Sequence, residues 1–357
     1  PQKGVLRRNS NHHTMEPAKN LLFKGDCLEI IQKRLDGFKG KFKLIYIDPP
    51  FLSGTQYTLK QKTSGNADTA GTLSDTLTYS DKWEGIDDYL SFMKPRLEAM
   101  KELLSNKGSF WVHLDWHVSH YVKVVLDEIF GYKNFVNEIV WKRTNSPKAQ
   151  SKGFGTQHDV ILLYTMDPHN FQVKPIYREH DNKSLKPYSY SDEKGKFRLI
   201  EIEAQGIQRT EGRKQFEWRG RTAPYLYKKE KLDDWWESGM IYRSRFGRYT
   251  KKQYIKDSPG LLVSDLWHDI APVQGASQEN TGFLTQKPEA LLDRIIKSST
   301  EEGDLVGDFF AGSGTTAIVA EDLNRRWILC DESESSLDVI RKRIDGLEKH
   351  VVYELVE

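Results

Sequence analysis

Apolar positions along this chain change their period several times, and each change marks a new element. Residues 20 to 23, "NLLF", read as a short strand, after which "KGDCLEII" turns to helical spacing. Leu44 to Ile47 are bulky or β-branched and apolar without alternation, the pattern of a strand covered on both faces in a parallel sheet. Residues 52 to 83 are rich in Ser, Thr, Gly and Asp with no sustained period, which predicts one long loop of the kind that serves as a lid or stays disordered. "IDDYLSFMKPRLEAMKELL" predicts an amphipathic helix, "GSFWVHL" a strand, and "SHYVKVVLDEIFG" a second helix closed by Gly131. "NEIVWKR" and "HDVILLYT" predict two strands near a sheet edge. After a loop at 263 to 283, "QKPEALLDRIIKSS" is a further amphipathic helix with Pro288 in its first turn. "GDLVGDFFAGSGTTAIVAEDLNRRWILCDES" then runs strand, glycine turn, helix, strand and acidic end, a βαβ unit of the mononucleotide-binding kind. The class is α/β.

Charge changes this picture in the middle of the chain. The 357 residues carry a formal net charge of +2, but residues 141 to 260 hold 25 Lys and Arg against 15 Asp and Glu, so a block of +10 is set against −8 elsewhere. Aromatic residues interleave with those cations in "QFEWRGRTAPYLYKK" and "IYRSRFGRYTKKQY", a mixture suited to tracking phosphates and stacking on bases. A solvated basic face would look the same, so this block alone leaves both readings open. Nothing has the length of a membrane-spanning apolar run, and residues 1 to 19 read as a polar leader. The two cysteines, Cys27 and Cys330, build neither a disulfide framework nor a metal site, and point to a reducing intracellular setting.

The candidate chemistry lies at two strand ends. Asp48 follows the buried run at the carboxyl edge, where open α/β sheets bind ligands. Pro49 and Pro50 stiffen the chain there, leaving the Asp48 and Pro49 carbonyls free to accept beside the Phe51 ring. In the second stretch, Gly312 and Gly314 permit a tight turn and close approach of backbone to ligand, and Thr315 and Thr316 can cap the helix. No lysine follows as in a phosphate-cradling loop, and the three-glycine dinucleotide pattern is incomplete. Asp308 and Asp331 at the two strand ends suit an amine and a ribose diol, a combination that fits S-adenosylmethionine, which carries no phosphate.

Together, "DPPF" at 48 to 51 and "FAGSGTT" at 310 to 316, with "GDCLEII", "HLDWHVSHYVKVVLDEIFGYKNFVNEIVW" and "TQKPEALLDRIIKSS", resemble the amino-group (N6-adenine or N4-cytosine) DNA methyltransferases of the β order. In these the catalytic motif precedes the target recognition region and the cofactor motif follows it. The resemblance covers residues 20 to 345 apart from the middle block. It implies a Rossmann-like S-adenosylmethionine-dependent methyltransferase fold of circularly permuted motif order. Residues 20–144 would form the catalytic half, 145–262 the edge strands and an inserted recognition region, and 263–357 the cofactor-binding half. It puts the methionine end of the cofactor by Asp308, Phe310 and Gly312, its ribose by Asp331 and its adenine near Asp26 and Cys27. Lys287 and Pro288, with Thr285 or Gln286, would close the methionine side. Phe309 stands where such enzymes often have proline, which should alter only packing. Phe51 replaces the commoner tyrosine, losing a hydroxyl and keeping a stacking face.

The resemblance further implies methylation of adenine N6 in duplex DNA by base flipping, with Asp48 and the Pro49 carbonyl accepting from the amino group. Aspartate at the head of the motif favours adenine in that family. N4-cytosine methylation, an RNA amino-methyltransferase and a catalytically silent DNA-binding module are the alternatives, and a nicotinamide dehydrogenase is the competing cofactor reading. Neither cysteine follows a proline, which disfavours C5-cytosine chemistry. His113, His117 and His120 lack companion ligands at metal spacing, so no metal is expected. Arg143, Lys148, Arg213, Arg219, Arg221, Arg243, Arg245 and Arg248 are the cations offered to DNA. The implied setting is cytoplasmic and nucleoid-associated in a prokaryote, with a homodimer and a cognate restriction endonuclease as partners. The length suggests a type II or solitary enzyme over a type III modification subunit.

Overall fold

The computed structural model describes residues 5–7, 19–52, 56–61, 74–80, 83–144, 153–204 and 215–357. The chain divides into two compact units, Pro1–Ile176 with Ser264–Glu357, and Tyr177–Val263. The first is built on one sheet of ten strands, β1 (Val5–Arg7), β2 (Asn20–Lys24), β3 (Phe42–Ile47), β4 (Leu104–Leu114), β5 (Phe135–Lys142), β6 (His158–Thr165), β7 (Leu266–Trp267), β8 (Leu305–Asp308), β9 (Arg326–Asp331) and β10 (Tyr353–Val356). Their order is β1-β10-β2-β9-β8-β3-β4-β6-β5-β7. Every neighbouring pair is parallel except the two made by β6. The helices are α1 (Cys27–Arg34), α2 (Ile86–Leu103), α3 (Ser119–Phe130), α4 (Glu289–Ser299), α5 (Thr315–Asp322) and α6 (Glu334–Asp345).

The sequence explains the sheet's centre. β3 is buried along nearly its whole length, as its unbroken apolar run requires. β8 lies against it with Gly307 opposite Ile45. A side chain at Gly307 would meet the Phe42 ring at 2.8 Å, so glycine lets Phe42 and Phe309 pack there, with ring centroids 5.9 Å apart. Phe309 is buried in that core, consistent with a packing role. From β3 the chain proceeds to β4 on one side, and from β8 to β9 on the other. That reversal of direction opens a crevice beyond the carboxyl ends of the two central strands.

Three expectations change. The segment 52–83 is not wholly loop, because Gln56–Gln61 and Ser74–Ser80 pair as antiparallel strands; six- and seven-residue strands in a Ser/Thr-rich stretch give too few apolar positions to register a period. Within the polar leader, Val5–Arg7 pairs in parallel with Tyr353–Leu355. Pro288 is the residue before α4, at extended ψ 143°, instead of within its first turn.

The second unit carries a four-stranded antiparallel sheet in the order Tyr190–Asp192, Gly195–Glu201, Tyr249–Tyr254, Ile241–Arg243. A separate hairpin joins Phe216–Trp218 to Arg221–Ala223, and a helix spans Lys229–Glu237. Ile202, Trp218, Ala223, Tyr225, Leu232 and Tyr249 form its core. Among the described residues no helix is long and apolar enough to cross a membrane, and no group of three or more His, Cys, Asp or Glu could hold a metal ion.

Candidate functional site

The carboxyl ends of β3, β8 and β9 bring Asp48, Asp308 and Asp331 to one cavity of about 410 Å³, within the range of small-ligand sites. Asp308 is fully buried. Burial pushes its carboxyl up to about 7, with the nearby Asp48 and Asp331 charges adding to the rise, although Thr316 and the Phe310 N–H donate to it. Burial also raises Asp331, whose oxygens accept from the backbone N–H groups of Gly312 (2.7 Å) and Ser333 (3.0 Å). The adjoining Glu332 is raised by burial and by Asp26. The cavity therefore concentrates carboxyl groups where ionising them is costly, and a bound cation would relieve that cost.

Asp48 forms the opposite wall. Its Oδ2 pairs with Lys287, while Oδ1 is buried without a hydrogen-bond partner among the described residues. A buried, unpaired carboxylate oxygen is costly, and at a cavity wall it marks a place for a donor from a ligand. Leu52, directly after the motif, sits at φ 60°, a strained value for that side chain, of the kind found at functional sites. The Phe51 ring stacks on His113 at 6.0 Å between centroids, and Lys287 Nζ lies 5.6 Å from the Phe51 centroid.

Beneath Phe51 is a buried polar chain that no motif revealed. Tyr46 OH and His113 Nδ1 are 3.2 Å apart, His113 Nε2 lies 3.2 Å from Asp159 Oδ2, and Arg143 Nε lies 3.2 Å from Asp159 Oδ1. Burial opposes the Asp159 charge, but the His113 hydrogen bond and the Arg143 and Lys287 charges together hold its carboxyl below the ordinary range. Arg143, expected at DNA, is thus partner to a buried acid. Strand pairing explains the assembly: His113 on β4 faces Ile161 on β6, two residues past Asp159. The sequence alone does not disclose that neighbourhood.

Of the residues expected at the cofactor, Cys27, Thr285, Lys287, Asp308, Phe310, Gly312 and Asp331 line the cavity, as do Asp48, Pro49, Pro50 and Phe51. Asp26, Gln286, Pro288 and Gly314 do not, and three of these have a local task. Asp26 caps α1 by accepting from Glu29 N–H at 3.0 Å and pairs with Arg96. Gln286 ties its own loop, accepting from Thr281 and donating to Glu279 O. Gly314, at φ 73°, begins α5 where a side chain would meet Ile340 at 2.6 Å. Thr315 and Thr316 do not cap α5; Thr315 donates to Lys287 O at 3.1 Å and Thr316 to Asp308 at 2.5 Å, joining the cavity's walls.

Sequence reading missed Trp83, Phe92, Arg96, Phe283 and Glu332, all of which line the cavity. Phe92 and Arg96 are four apart on α2 and so share a face, with the guanidinium carbon 3.5 Å from the ring centroid. Trp83, Phe92 and Phe310 form an aromatic run with centroids 4.7 and 6.4 Å apart. Glu332 had a signal, an acid directly following Asp331. Of the other cations, Lys148 and Arg213 lie outside the described residues. Arg219, Arg221, Arg243, Arg245 and Arg248 are in the second unit.

A mostly parallel sheet with an acid-lined crevice at its switch point, one wall "DPPF" and the other "FAGSG", is the Rossmann-like arrangement of methyltransferases that modify amino groups. The chain belongs to the N6/N4 DNA methylase family, whose model matches residues 42–342. It is 32% identical to the type II methyltransferase M.EcaI of Enterobacter cloacae, over 85% of this chain and 64% of that protein. It is 27% identical to the StyLTI Mod subunit of a type III restriction-modification enzyme of Salmonella typhimurium, over 96% of this chain and 56% of that one. The probable type III HindVI Mod subunit of Haemophilus influenzae is 26% identical over 96% of this chain and 52% of its own length. The chain thus spans between about half and two thirds of these relatives.

Proposed function

We propose that this protein transfers a methyl group from S-adenosylmethionine to the exocyclic N6 amino group of adenine in duplex DNA. The observation that carries this reading is Asp48 Oδ1, a buried acceptor without a partner among the described residues, at the wall of a cavity shared with three further carboxyl groups. Membership of the DNA methylase family supports the substrate class.

The cavity suits the cofactor on chemical grounds. Asp308, Asp331 and Glu332 match a ligand bearing cationic sulfonium and ammonium groups and a ribose diol, and Trp83, Phe92, Phe283 and Phe310 offer faces to an aromatic base. When bound, S-adenosylmethionine supplies a methyl group already activated on sulfur, so no metal is required. The amino nitrogen of adenine is a poor nucleophile because its lone pair is delocalised into the ring. Asp48 Oδ1 and the Pro49 carbonyl accept from that amino group, drawing the nitrogen towards tetrahedral geometry. The two prolines hold both acceptors in place, which is the condition for electrostatic help to lower a barrier. Lys287 keeps the Asp48 carboxylate oriented through Oδ2 and leaves Oδ1 to the substrate. A base inside a duplex cannot reach such a crevice, so the target flips out, and Phe51, braced by His113, provides the stacking face. Asp48 then receives the proton lost by the methylated nitrogen or passes it to water.

Methyl transfer from S-adenosylmethionine to duplex DNA tests this reading, with equilibrium binding of NAD measured in parallel. Transfer to duplex DNA supports it. Transfer only to RNA, or binding of NAD in place of S-adenosylmethionine, overturns it.

A further inference from the structure

Five arginines of the second unit lie on two hairpins, and their partners sort them into two groups. Arg221 makes a two-pronged contact with Glu203, at 2.7 and 2.9 Å, and Arg248 pairs with Glu201 at 2.6 Å. Both are partly covered and fasten strands to one another. Arg219, Arg243 and Arg245 are exposed and have no carboxylate partner among the described residues.

Of the exposed three, Arg219 and Arg245 lie in turns and Arg243 ends the strand Ile241–Arg243, paired with Tyr249. Arg219 and Gly220 form the two-residue turn between Phe216–Trp218 and Arg221–Ala223, at φ 49° and 76°. A tight hairpin turn with both central residues left-handed ordinarily carries asparagine, aspartate or glycine first. Arginine there is strained, yet its guanidinium lies over the Trp236 ring, 4.1 Å from the centroid, instead of pairing with an acid. The second turn, Ser244–Arg248, is closed by Ser244 N–H to Arg248 O at 2.8 Å and carries Phe246 at its tip, 79% exposed. Tyr249 joins the two hairpins: its ring lies 5.7 Å from the Arg243 guanidinium and its hydroxyl donates to Arg219 O at 3.2 Å. Strained backbone, aromatic support and unneutralised charge together mark a surface held ready for a ligand.

We propose that these two hairpin ends form one DNA-reading edge, in which Arg219, Arg243 and Arg245 contact guanine edges and flanking phosphates, while Arg221 and Arg248 only brace the hairpins. A two-stranded ribbon fits the major groove, and the guanidinium fork pairs with the O6 and N7 of guanine. This inference rests on duplex DNA being the substrate.

The test uses the full chain and measures binding to a random-sequence duplex by fluorescence anisotropy at several salt concentrations. It also identifies the sequence that the wild type selects from a random pool. The combined Arg219→Ala, Arg243→Ala, Arg245→Ala variant is expected to bind the random duplex at least about tenfold more weakly, with a shallower salt dependence and an unchanged melting temperature. The matching triple lysine variant keeps the charge and loses the fork. It is expected to retain random-duplex affinity within about twofold while its preference for the selected sequence falls at least about tenfold. Wild-type affinity and preference in both variants would overturn the proposal. So would selection of a sequence without guanine, or an equal loss in Arg221→Ala and Arg248→Ala at unchanged melting temperature. Absence of methyl transfer by the wild type would defeat the proposed function, and duplex binding would still decide the reading edge.

Discussion

In the crevice of the first unit four carboxyl groups outnumber the two cations, Lys287 and Arg96; on the hairpins of the second unit Arg219, Arg243 and Arg245 are exposed without a carboxylate partner among the described residues. The difference follows from what each surface meets. Carboxyl groups at the ends of β3, β8 and β9 sit where water is scarce: Asp331 and Asp308 both accept from backbone N–H groups and are both raised in pKa by burial, while Asp48 keeps one oxygen without a partner among the described residues. Their positions are set by a rigid parallel sheet, and small displacements would matter. The arginines at the hairpin tips are set by short turns and ring contacts, and they remain hydrated until a polyanion replaces the water. One region stores unfavourable electrostatics for a cation and an amino group; the other keeps its charge free for phosphates and base edges.

The sharpest way to break this contrast is Asp48→Asn, which keeps the shape and removes the charged acceptor. Single-turnover methyl transfer should slow by about 10² to 10³, the cost of losing a preorganised group at a developing charge. S-adenosylmethionine affinity should hold within about twofold. An unchanged rate would end the role given to that carboxylate.

His113→Ala comes next. It leaves Asp159 buried beside a cavity, and urea unfolding should show a loss of about 3 kcal/mol or more. A loss under about 1 kcal/mol would mean that the buried chain beneath Phe51 does not brace it.

The pH dependence of cofactor binding is a smaller effect with a definite sign. The Asp308 carboxyl is raised from 3.8 to about 7 in the folded protein. The folded state therefore holds a proton that the unfolded chain gives up near pH 4, and stability falls as pH rises from about 4 to about 7, then levels. A cation binding beside Asp308 needs that proton removed. Affinity should rise with pH by at most about tenfold per unit and flatten above about 7, and Asp308→Asn should abolish the slope. Affinity that falls over the same interval would contradict the assignment.

At the hairpin tips, Arg245→Ala should change thermal stability by no more than about 0.5 kcal/mol, since no ion pair is lost. A larger loss would make Arg245 a brace and blur the distinction between the two groups of arginines.

What the sequence disclosed follows the same division. The unbroken apolar run of β3 and the glycine turn after β8 announce a central parallel sheet, and "DPPF" and "FAGSGTT" mark its crevice because they put carboxylates, stiff acceptors and a glycine turn at strand ends. The resemblance puts Asp26 near the adenine, and in the structure its carboxyl caps α1 and pairs with Arg96, which lines the cavity. Contacts between distant residues left no local trace: Lys287 and Asp48 stand 239 positions apart, and His113 meets Asp159 only because β4 and β6 pair. In the second unit, strands of three residues such as Ile241–Arg243 are too short to show alternation. Its arginines were visible as a basic block, while their division into paired and unpaired depended on Glu201 and Glu203, which composition could not place.

Transfer to adenine is read by nucleoside mass spectrometry on unmethylated duplex DNA incubated with the full chain and S-adenosylmethionine carrying a deuterated methyl group. The expected product is labelled N6-methyladenine. Labelled N4-methylcytosine would keep the crevice chemistry and reverse the base, and sequence-rich duplex DNA without any labelled amino-methyl nucleoside would rule out amino-methyl transfer to DNA by this crevice.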